Sequence, residues 1–175
     1  GSAMASLRRL VGEFAEFARL PRADLREGDL RDFFAEQRPR LTRELPDRTE
    51  LLWEVGDAPL PVAHDKTMLY RVILNLLQNA HQAAPGAGEI AVSAERLGDT
   101  VVVTIDDAGP GLEPDLAPVV FDPYVTSKQD GTGLGLTIVK KIIIDHGGTI
   151  EAAESPLGGA RFRIELPRRP QDESE

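Results

Sequence analysis

Apolar residues recur every three or four positions near the start of the chain, which is the spacing of one face of an α-helix. The stripe consists of Leu7, Leu10, Val11, Phe14, Phe17 and Ala18, and Pro21 ends the pattern. It predicts a helix that packs either on its own domain or within an antiparallel or dimeric helical hairpin. Residues 22–29 are charged and rich in turn formers, which indicates a linker or a short strand.

Beyond residue 29 the chain alternates between helical and strand patterns. Helices are predicted over residues 30–43, 65–84 and 137–146, with Pro39 interrupting or ending the first of them. Strands are predicted over residues 51–55, 89–96, 101–106, 149–154 and 160–166, with Gly98-Asp99 as the turn of a hairpin. This order predicts an α+β two-layer sandwich, in which helices cover one face of a mixed or antiparallel sheet. The polar tail, residues 167–175, is predicted to be disordered.

The composition narrows the classes of protein to which the chain can belong. With 175 residues, of which 41% are apolar and 28% charged, the chain can build one domain core. No apolar run approaches the roughly 20 residues of a membrane helix, and a net charge of −9 argues against a broad nucleic-acid surface. The absence of cysteine excludes disulfides and thiolate metal sites. Residues 1–4 read as the remnant of an expression vector, so we expect a fragment of a longer protein.

Polar residues line one edge of the predicted helix over residues 65–84. Asn75, Asn79 and Gln82 lie off its apolar face at spacings of three and four. Asn destabilises a helix interior relative to Ala because its side chain competes for backbone hydrogen bonds, which favours a functional role for the pair. A neutral amide oxygen suits Mg²⁺, and Asn79 is the candidate ligand. The alternative is an ordinary solvated helix edge.

A carboxylate and two glycines follow the predicted strand over residues 101–106. Asp107 can accept a hydrogen bond from an adenine amino group, and Gly109 and Gly111 would let the backbone approach the base. The alternative is a surface turn, in which these residue types are common.

A glycine-rich run at residues 131–136 leads directly into the last predicted helix. Glycines let the backbone approach a polyanion, and a helix N-terminus offers unpaired N–H groups to it. The candidate phosphate-binding residues are Thr132, Gly133, Leu134, Gly135 and Leu136. The preceding segment, residues 112–130, has the length of a lid over a ligand, and Lys128 is either a phosphate contact or a solvated lysine. The chain contains neither a Walker A loop nor a dinucleotide-binding fingerprint.

Four segments in this order resemble the N, G1, F and G2 boxes of sensor histidine kinases. They are residues 75–80, 107–111, 121–128 and 131–136. The resemblance covers about residues 30–166 and is greatest to the nitrogen-regulation branch, of the NtrY and NtrB type. It implies a Bergerat ATP-binding fold for the catalytic domain, residues 30–166, in the superfamily that also holds gyrase and Hsp90. Residues 5–21 would then be the remnant of a second dimerisation helix.

The resemblance also implies a role for each candidate residue. Asn79 would hold Mg²⁺, Asp107 would read adenine, and the two glycine boxes would hinge the lid and support the phosphates. Asn75 stands where the hydrolysing relatives carry a Glu that activates water, and an amide cannot act as a general base. Asn75 is therefore a catalytic candidate for transfer rather than hydrolysis, and Lys128, which could contact phosphate, is the second catalytic candidate. Gln82 stands where many histidine kinases carry Lys and is a candidate nucleotide contact.

The implied reaction is transfer of the ATP γ-phosphate to a histidine that this fragment lacks. In this family the acceptor His is followed by an acidic residue and lies upstream of a helix like that near the start of this chain. His64-Asp65 imitates that pair but precedes the helix with the Asn residues, and His81 and His146 lack an acidic neighbour, so no self-phosphorylation is expected.

The resemblance implies three partners: ATP, the histidine-containing dimerisation domain of the same kinase, and a response regulator. It further implies that the domain is the cytoplasmic part of a membrane-anchored, homodimeric kinase. The alternative is an ATP-hydrolysing or regulatory nucleotide-binding module of the same superfamily.

Overall fold

The computed structural model describes residues 2–46, 49–83, 88–123 and 134–169. The helices in these ranges are α1 (Ser2–Ala18), α2 (Leu30–Arg43), α3 (Lys66–Ala83) and α4 (Gly135–Asp145), with a short 3-10 helix at Ala117–Val119. The strands are β1 (Glu50–Glu54), β2 (Glu89–Leu97), β3 (Thr100–Asp106), β4 (Thr149–Glu154) and β5 (Ala160–Pro167). Apart from Pro39, the helices and strands predicted beyond residue 29 are confirmed to within about two residues at each end. The first predicted helix is also confirmed, but it begins earlier than its apolar stripe, at Ser2, and ends at Ala18.

The five strands form one mixed sheet in the order β1-β2-β3-β5-β4. β1 runs parallel to β2 because α3 carries the chain back between them, and all other neighbours are antiparallel. The predicted hairpin joins β2 to β3, and Gly98 at its turn has a φ of 64°, a conformation that glycine adopts without strain. The mixed-sheet form of the α+β prediction is therefore confirmed.

Helices cover one face of the sheet, as the sequence predicts. β5 alternates buried Phe162 and Ile164 with half-buried Arg161 and Arg163 on the opposite face. On the covered face α3 buries a continuous apolar stripe: Leu69, Val72, Ile73, Leu76 and Leu77. Each such side chain contributes about 1.5–3 kcal/mol through removal of apolar surface from water. This packing fixes the direction in which the other edge of α3 faces.

The prediction that Pro39 interrupts or ends its helix is wrong, because α2 continues through it to Arg43. Pro39 and Ala35, whose carbonyl loses its helical partner, are both exposed, so water can reach that carbonyl. Leu41, which follows Pro39, is fully buried and holds the last turn on the core. The Asp29 side chain caps the start of α2 by accepting a hydrogen bond from the Arg31 backbone N–H at 2.9 Å. Tertiary packing thus outweighs the local cost of the proline.

α1 packs against the domain only near its C-terminal end. Phe17 and Leu20 contact the core, and the Lys141 ammonium group lies 5.4 Å from the centre of the Phe17 ring. Toward the N-terminus, by contrast, the side chains of Leu7, Val11 and Phe14 are more than half exposed. Among the described helices, α1 included, none is long and apolar enough to cross a membrane.

The linker after α1 is attached to the start of α3. Isolated β-bridges pair Arg26 with His64 and Asp29 with Pro61. The Asp24 backbone N–H donates to a carboxylate oxygen of Asp65 at 2.9 Å. The linker is therefore held to the domain by backbone hydrogen bonds, without forming a strand of the main sheet.

Candidate functional site

Three of the predicted segments lie along the C-terminal half of α3. α4 lies antiparallel beside α3, since the Asp65 N–H at the start of α3 donates to Nε2 of His146 at the end of α4, at 3.0 Å. The N-terminus of α4 therefore lies toward the other end of α3. The loop after β3 also reaches that end, because a Cβ atom added to Gly109 would lie 3.0 Å from the Ala83 carbonyl oxygen.

The amide residues occupy the predicted edge of α3. Asn75 and Asn79 are half-buried and Gln82 is exposed. They are separated by about one helical turn each and lie away from the buried Leu76 and Leu77. The amides therefore lie along one edge of α3, and Gln82 is next to Ala83, which the loop after β3 approaches.

Asp107 is buried and held by backbone donors from two separate segments. Its carboxylate oxygen Oδ1 accepts hydrogen bonds from the Gly109 N–H at 3.0 Å and the Ala160 N–H at 3.1 Å. Its own backbone pairs with Ala160 and Gly159 at 3.0 and 3.1 Å. Gly111 completes the loop with a φ of 81°, which a side chain would strain.

The neighbouring Asp106 serves a different purpose. It lies on the uncovered face of the sheet, where both its oxygens accept from Arg161 at 2.7 and 3.0 Å. This bidentate pair raises the pKa of the Arg161 guanidinium. Of the two adjacent carboxylates, Asp107 is thus the one on the helix-covered side, where the predicted site lies.

The start of α4 provides a helix N-terminus that points toward the C-terminal half of α3. Leu134 is buried, and its carbonyl accepts the Ile138 N–H at 2.9 Å. Gly135 begins the helix, and a Cβ atom added there would meet no described atom within 4 Å. Leu136 is half-buried against the core. The backbone N–H groups of this first turn have no partner within the helix and can donate to an anion.

Part of the predicted site falls on residues outside the described ranges. These are Lys128, Thr132 and Gly133. The segment that precedes them is described as far as Pro123, and it is anchored where Phe121 packs edge-on against Phe162 with ring centres 6.0 Å apart. Thr137 of α4 adds a hydrogen bond from its hydroxyl to the Phe121 carbonyl at 2.9 Å.

Two buried histidines lie at the opposite end of α3. His64 donates from Nδ1 to the Val62 carbonyl at 2.8 Å, and His146 donates from Nδ1 to the Ile142 carbonyl at 2.8 Å. Since Nε2 of His146 accepts from Asp65, that imidazole is neutral. Burial lowers the pKa of His146 below its ordinary value of 6.5, although the Ile142 carbonyl opposes the shift. Sequence reasoning missed this structural role of His146.

The sequence interpretation also missed two residues, distant from Asp107 in the sequence, whose backbone N–H groups donate hydrogen bonds to Asp107. Gly159 and Ala160 lie at the start of β5, and Ala160 is 53 residues from Asp107. The signal available was Gly158-Gly159 between two predicted strands, which would otherwise read as an ordinary turn.

Comparison with protein families gives one match over the region that contains the site. Residues 64–170 match the family described as "Histidine kinase-, DNA gyrase B-, and HSP90-like ATPase". The sensor histidine kinase ZraS of Salmonella typhimurium is 35% identical over 163 residues, which cover 92% of this chain and 35% of that protein. The nitrogen regulation protein NtrY of Azorhizobium caulinodans is 36% identical over 167 residues, covering 90% of this chain and 21% of NtrY.

Solved structures of histidine kinases share the fold. The mycobacterial sensor histidine kinase MprB superposes with a TM-score of 0.70 at 30% identity, covering 84% of this chain and 99% of that one. The histidine kinase ThkA, solved in complex with the response regulator protein TrrA, gives a TM-score of 0.75 at 25% identity, covering 98% of this chain and 50% of that one. The chain spans about a third or less of the length of ZraS and NtrY.

Proposed function

Because the chain belongs to the family of histidine kinase-, DNA gyrase B- and HSP90-like ATPases, we propose that it binds Mg²⁺-ATP and transfers the γ-phosphate to a histidine of a dimerisation domain. The observation that best supports this proposal is the placement of three features along the C-terminal half of α3. They are the oriented Asp107 carboxylate, the amide edge of α3 and the N-terminus of α4. Together they offer an acceptor for a base, oxygen ligands for a cation and donors for phosphate.

Asp107 is the residue proposed to recognise adenine. A carboxylate accepts a hydrogen bond from the exocyclic amino group of adenine, whereas guanine presents a carbonyl oxygen at that position. A Cβ atom at Gly109 would lie only 3.0 Å from the Ala83 carbonyl oxygen, so glycine lets this loop pack closely against the last turn of α3, beside the proposed base site. The expected consequence is preference for adenine nucleotides.

Mg²⁺ fits the chemistry of the donor set. Asn79 offers a half-buried amide oxygen, and the described residues contain no cluster of three or more His, Asp or Glu side chains that would hold a metal by themselves. A cation at Asn79 would therefore take most of its ligands from phosphate oxygens and water. When bound, Mg²⁺ would neutralise phosphate charge.

Asn75 favours transfer over hydrolysis. Its amide cannot remove a proton from water at neutral pH, so this position provides no general base. His64 and His146 are buried and hydrogen-bonded, which supports the prediction that neither accepts phosphate. The acceptor is therefore proposed to lie on a separate dimerisation domain.

We also propose the partners of the longer protein. The exposed apolar positions of α1 would pack in a dimerisation domain of the same kinase, which makes the full-length protein a homodimer. A response regulator would take up the phosphate downstream, a partner of the kind that ThkA has in its solved complex. The domain would lie on the cytoplasmic side of a membrane-anchored kinase.

A binding titration and a transfer assay test this function. A fluorescent ATP analogue should bind in the presence of Mg²⁺, and no binding at high micromolar concentration would contradict the proposal. With ATP labelled at the γ-position, label should appear on a separately supplied histidine-containing dimerisation domain and not on this chain alone. Rapid release of labelled phosphate without transfer would favour the hydrolysing alternative, and acid-labile label on His64 would contradict the assignment of the acceptor.

A further inference from the structure

The two oxygens of the Asp107 carboxylate have different surroundings. Oδ1 accepts both backbone hydrogen bonds, from Gly109 and from Ala160. Oδ2 has no hydrogen-bond partner among the described residues, and it is not fully buried, so a ligand can reach it. The side chain is otherwise buried, with 2% of the residue exposed. One oxygen is thus bound to the protein and the other is left for a ligand.

Gly159 is packed so closely against this carboxylate that no side chain fits. A Cβ atom added there would lie 2.0 Å from Oδ1 of Asp107, 2.5 Å from its backbone oxygen and 2.6 Å from the Gly109 nitrogen. These atoms cannot easily move aside, because two belong to the backbone and Oδ1 is held by two backbone hydrogen bonds. The neighbouring Gly158, in contrast, would meet no atom within 4 Å.

We propose that the Gly159-Ala160 backbone is the positioning element for base selection: it binds Oδ1 of Asp107 and turns Oδ2 toward the nucleotide. Ala160 supplies the hydrogen bond that fixes the carboxylate, and Gly159 supplies the space that lets the two segments approach. This inference rests on the proposed function, because it assigns the free oxygen to the adenine amino group. It makes Gly159 a positioning residue that acts through Asp107 without touching the ligand.

The orientation has a consequence for the substitution Asp107→Asn. Two N–H donors point at the Oδ1 position, so the amide must place its oxygen there and its NH₂ group at the Oδ2 position. The atom that faces the base then becomes a donor. A donor is matched by the carbonyl oxygen of inosine and repelled by the amino group of adenine. Asp107→Asn should therefore invert the preference between ATP and ITP rather than abolish it.

Nucleotide titrations of four proteins test the proposal. The wild type should bind ATP about 10-fold or more tightly than ITP, because a hydrogen bond to a charged acceptor is lost with ITP. Asp107→Asn should bind ITP more tightly than ATP. Gly159→Ala, which displaces the carboxylate, should bring the ratio of the two affinities close to one. Gly158→Ala is the matched control, since its φ of 99° strains the same turn without contact to Asp107, and it should keep the wild-type ratio.

Two results would overturn the positioning role. One is a Gly159→Ala variant with the wild-type ratio of ATP to ITP affinity, as expected if the residue were merely structural. The other is an Asp107→Asn variant with equal affinities, as expected if its amide rotated freely. Asp107→Asn leaves the number of heavy atoms unchanged, so it provides the test if Gly159→Ala does not fold.

Amide hydrogen exchange of the nucleotide-free protein separates this inference from the proposed function. The Gly109 and Ala160 N–H groups should exchange slowly in the wild type and about 10-fold or more faster in Asp107→Ala, which lacks Oδ1. Unchanged exchange would contradict the orientation of the carboxylate. If that acceleration is seen but the wild type binds no nucleotide, the proposed function fails while the fixed orientation of Asp107 stands.

Discussion

At the scale of single residues, Asn75 and Asn79 occupy the same edge of α3 but are proposed to have different roles in the reaction. Both are half-buried amides about one turn apart on α3, and neither carries charge. Asn79 would coordinate a cation through its amide oxygen. Asn75 would disfavour hydrolysis, because its amide cannot remove a proton from water. The two roles can be separated because only the first depends on Mg²⁺.

Replacement of Asn79 by Ala should weaken nucleotide binding only when Mg²⁺ is present. Loss of one oxygen ligand is expected to reduce the affinity for Mg²⁺-ATP about 10-fold, whereas affinity measured in excess chelator should match that of the wild type. Titration of a fluorescent ATP analogue under both conditions gives the two values. Thr67→Ala, at an exposed position in the first turn of the same helix, is the control. An equal loss with and without Mg²⁺ would contradict the assignment of Asn79 as the metal ligand.

At the scale of elements, α3 is fixed at both ends by contacts with other segments. Its first turn is held by Asp65, which accepts the Met68 N–H at 3.1 Å and the Asp24 N–H at 2.9 Å. The backbone of Asp65 in turn donates to the neutral imidazole of His146. Protonation of this imidazole would remove the acceptor that joins the start of α3 to the end of α4, the two helices that border the proposed site.

The stability of the domain should therefore depend on pH through His146. Its pKa in the folded state lies below the value of 6.5 expected for the unfolded chain, so the unfolded state binds the proton more readily. The contribution to the free energy of unfolding is complete above about pH 6.5 and is lost as pH falls from there through the folded pKa. Asp65 and Asp145 oppose the lowering of this pKa, and His64 adds to it.

Chemical denaturation between about pH 5 and pH 8 measures this dependence. His146→Gln removes the titrating group, so its free energy of unfolding should fall less steeply with acidification than that of the wild type. His81→Gln is the matched control, since His81 is half-buried and its ring contacts the Thr49 hydroxyl at 3.3 Å. Parallel curves for the wild type and His146→Gln would show that another group carries the dependence.

α2 contains a proline whose removal should stabilise the protein. Pro39 costs about 3 kcal/mol relative to Ala in a helix interior, offset by about 1 kcal/mol because it restricts the unfolded chain. Pro39→Ala should therefore raise the free energy of unfolding by about 1–3 kcal/mol, measured by urea denaturation. Gln37→Ala in the same helix should change it by less than about 0.5 kcal/mol. No gain for Pro39→Ala would mean that the helix has already adapted to the ring.

Most of the fold could be predicted because its signals are local. The apolar stripe of α3 and the alternation of β5 are both readable within a few residues, and both are confirmed. Pro39 was misjudged because burial of Leu41 is a property of the tertiary fold. The bonds from Ala160 to Asp107 and from Asp65 to His146 join residues 53 and 81 positions apart, which no short pattern can reveal. The ligand roles of the site residues stay predictions.

At the scale of the whole molecule, the strand order brings together two parts of the proposed site that are far apart in the sequence. β5, which carries Ala160, lies directly beside β3, which leads to Asp107. The register pairs Asp106 with Arg161 and Val103 with Ile164 along the full length of both strands. The carboxylate is therefore oriented only after the last described strand has joined the centre of the sheet.

That strand order also constrains how the protein is made. On a ribosome, β1, β2 and β3 emerge first, but β3 stays an open edge and the α3 stripe lacks half of its sheet until residues 160–167 are released. The nascent chain consequently exposes apolar surface for most of its synthesis, and a stop codon that removes β5 would leave a chain with neither a closed core nor an oriented Asp107. The proposed nucleotide site can therefore form only after β5 has left the ribosome.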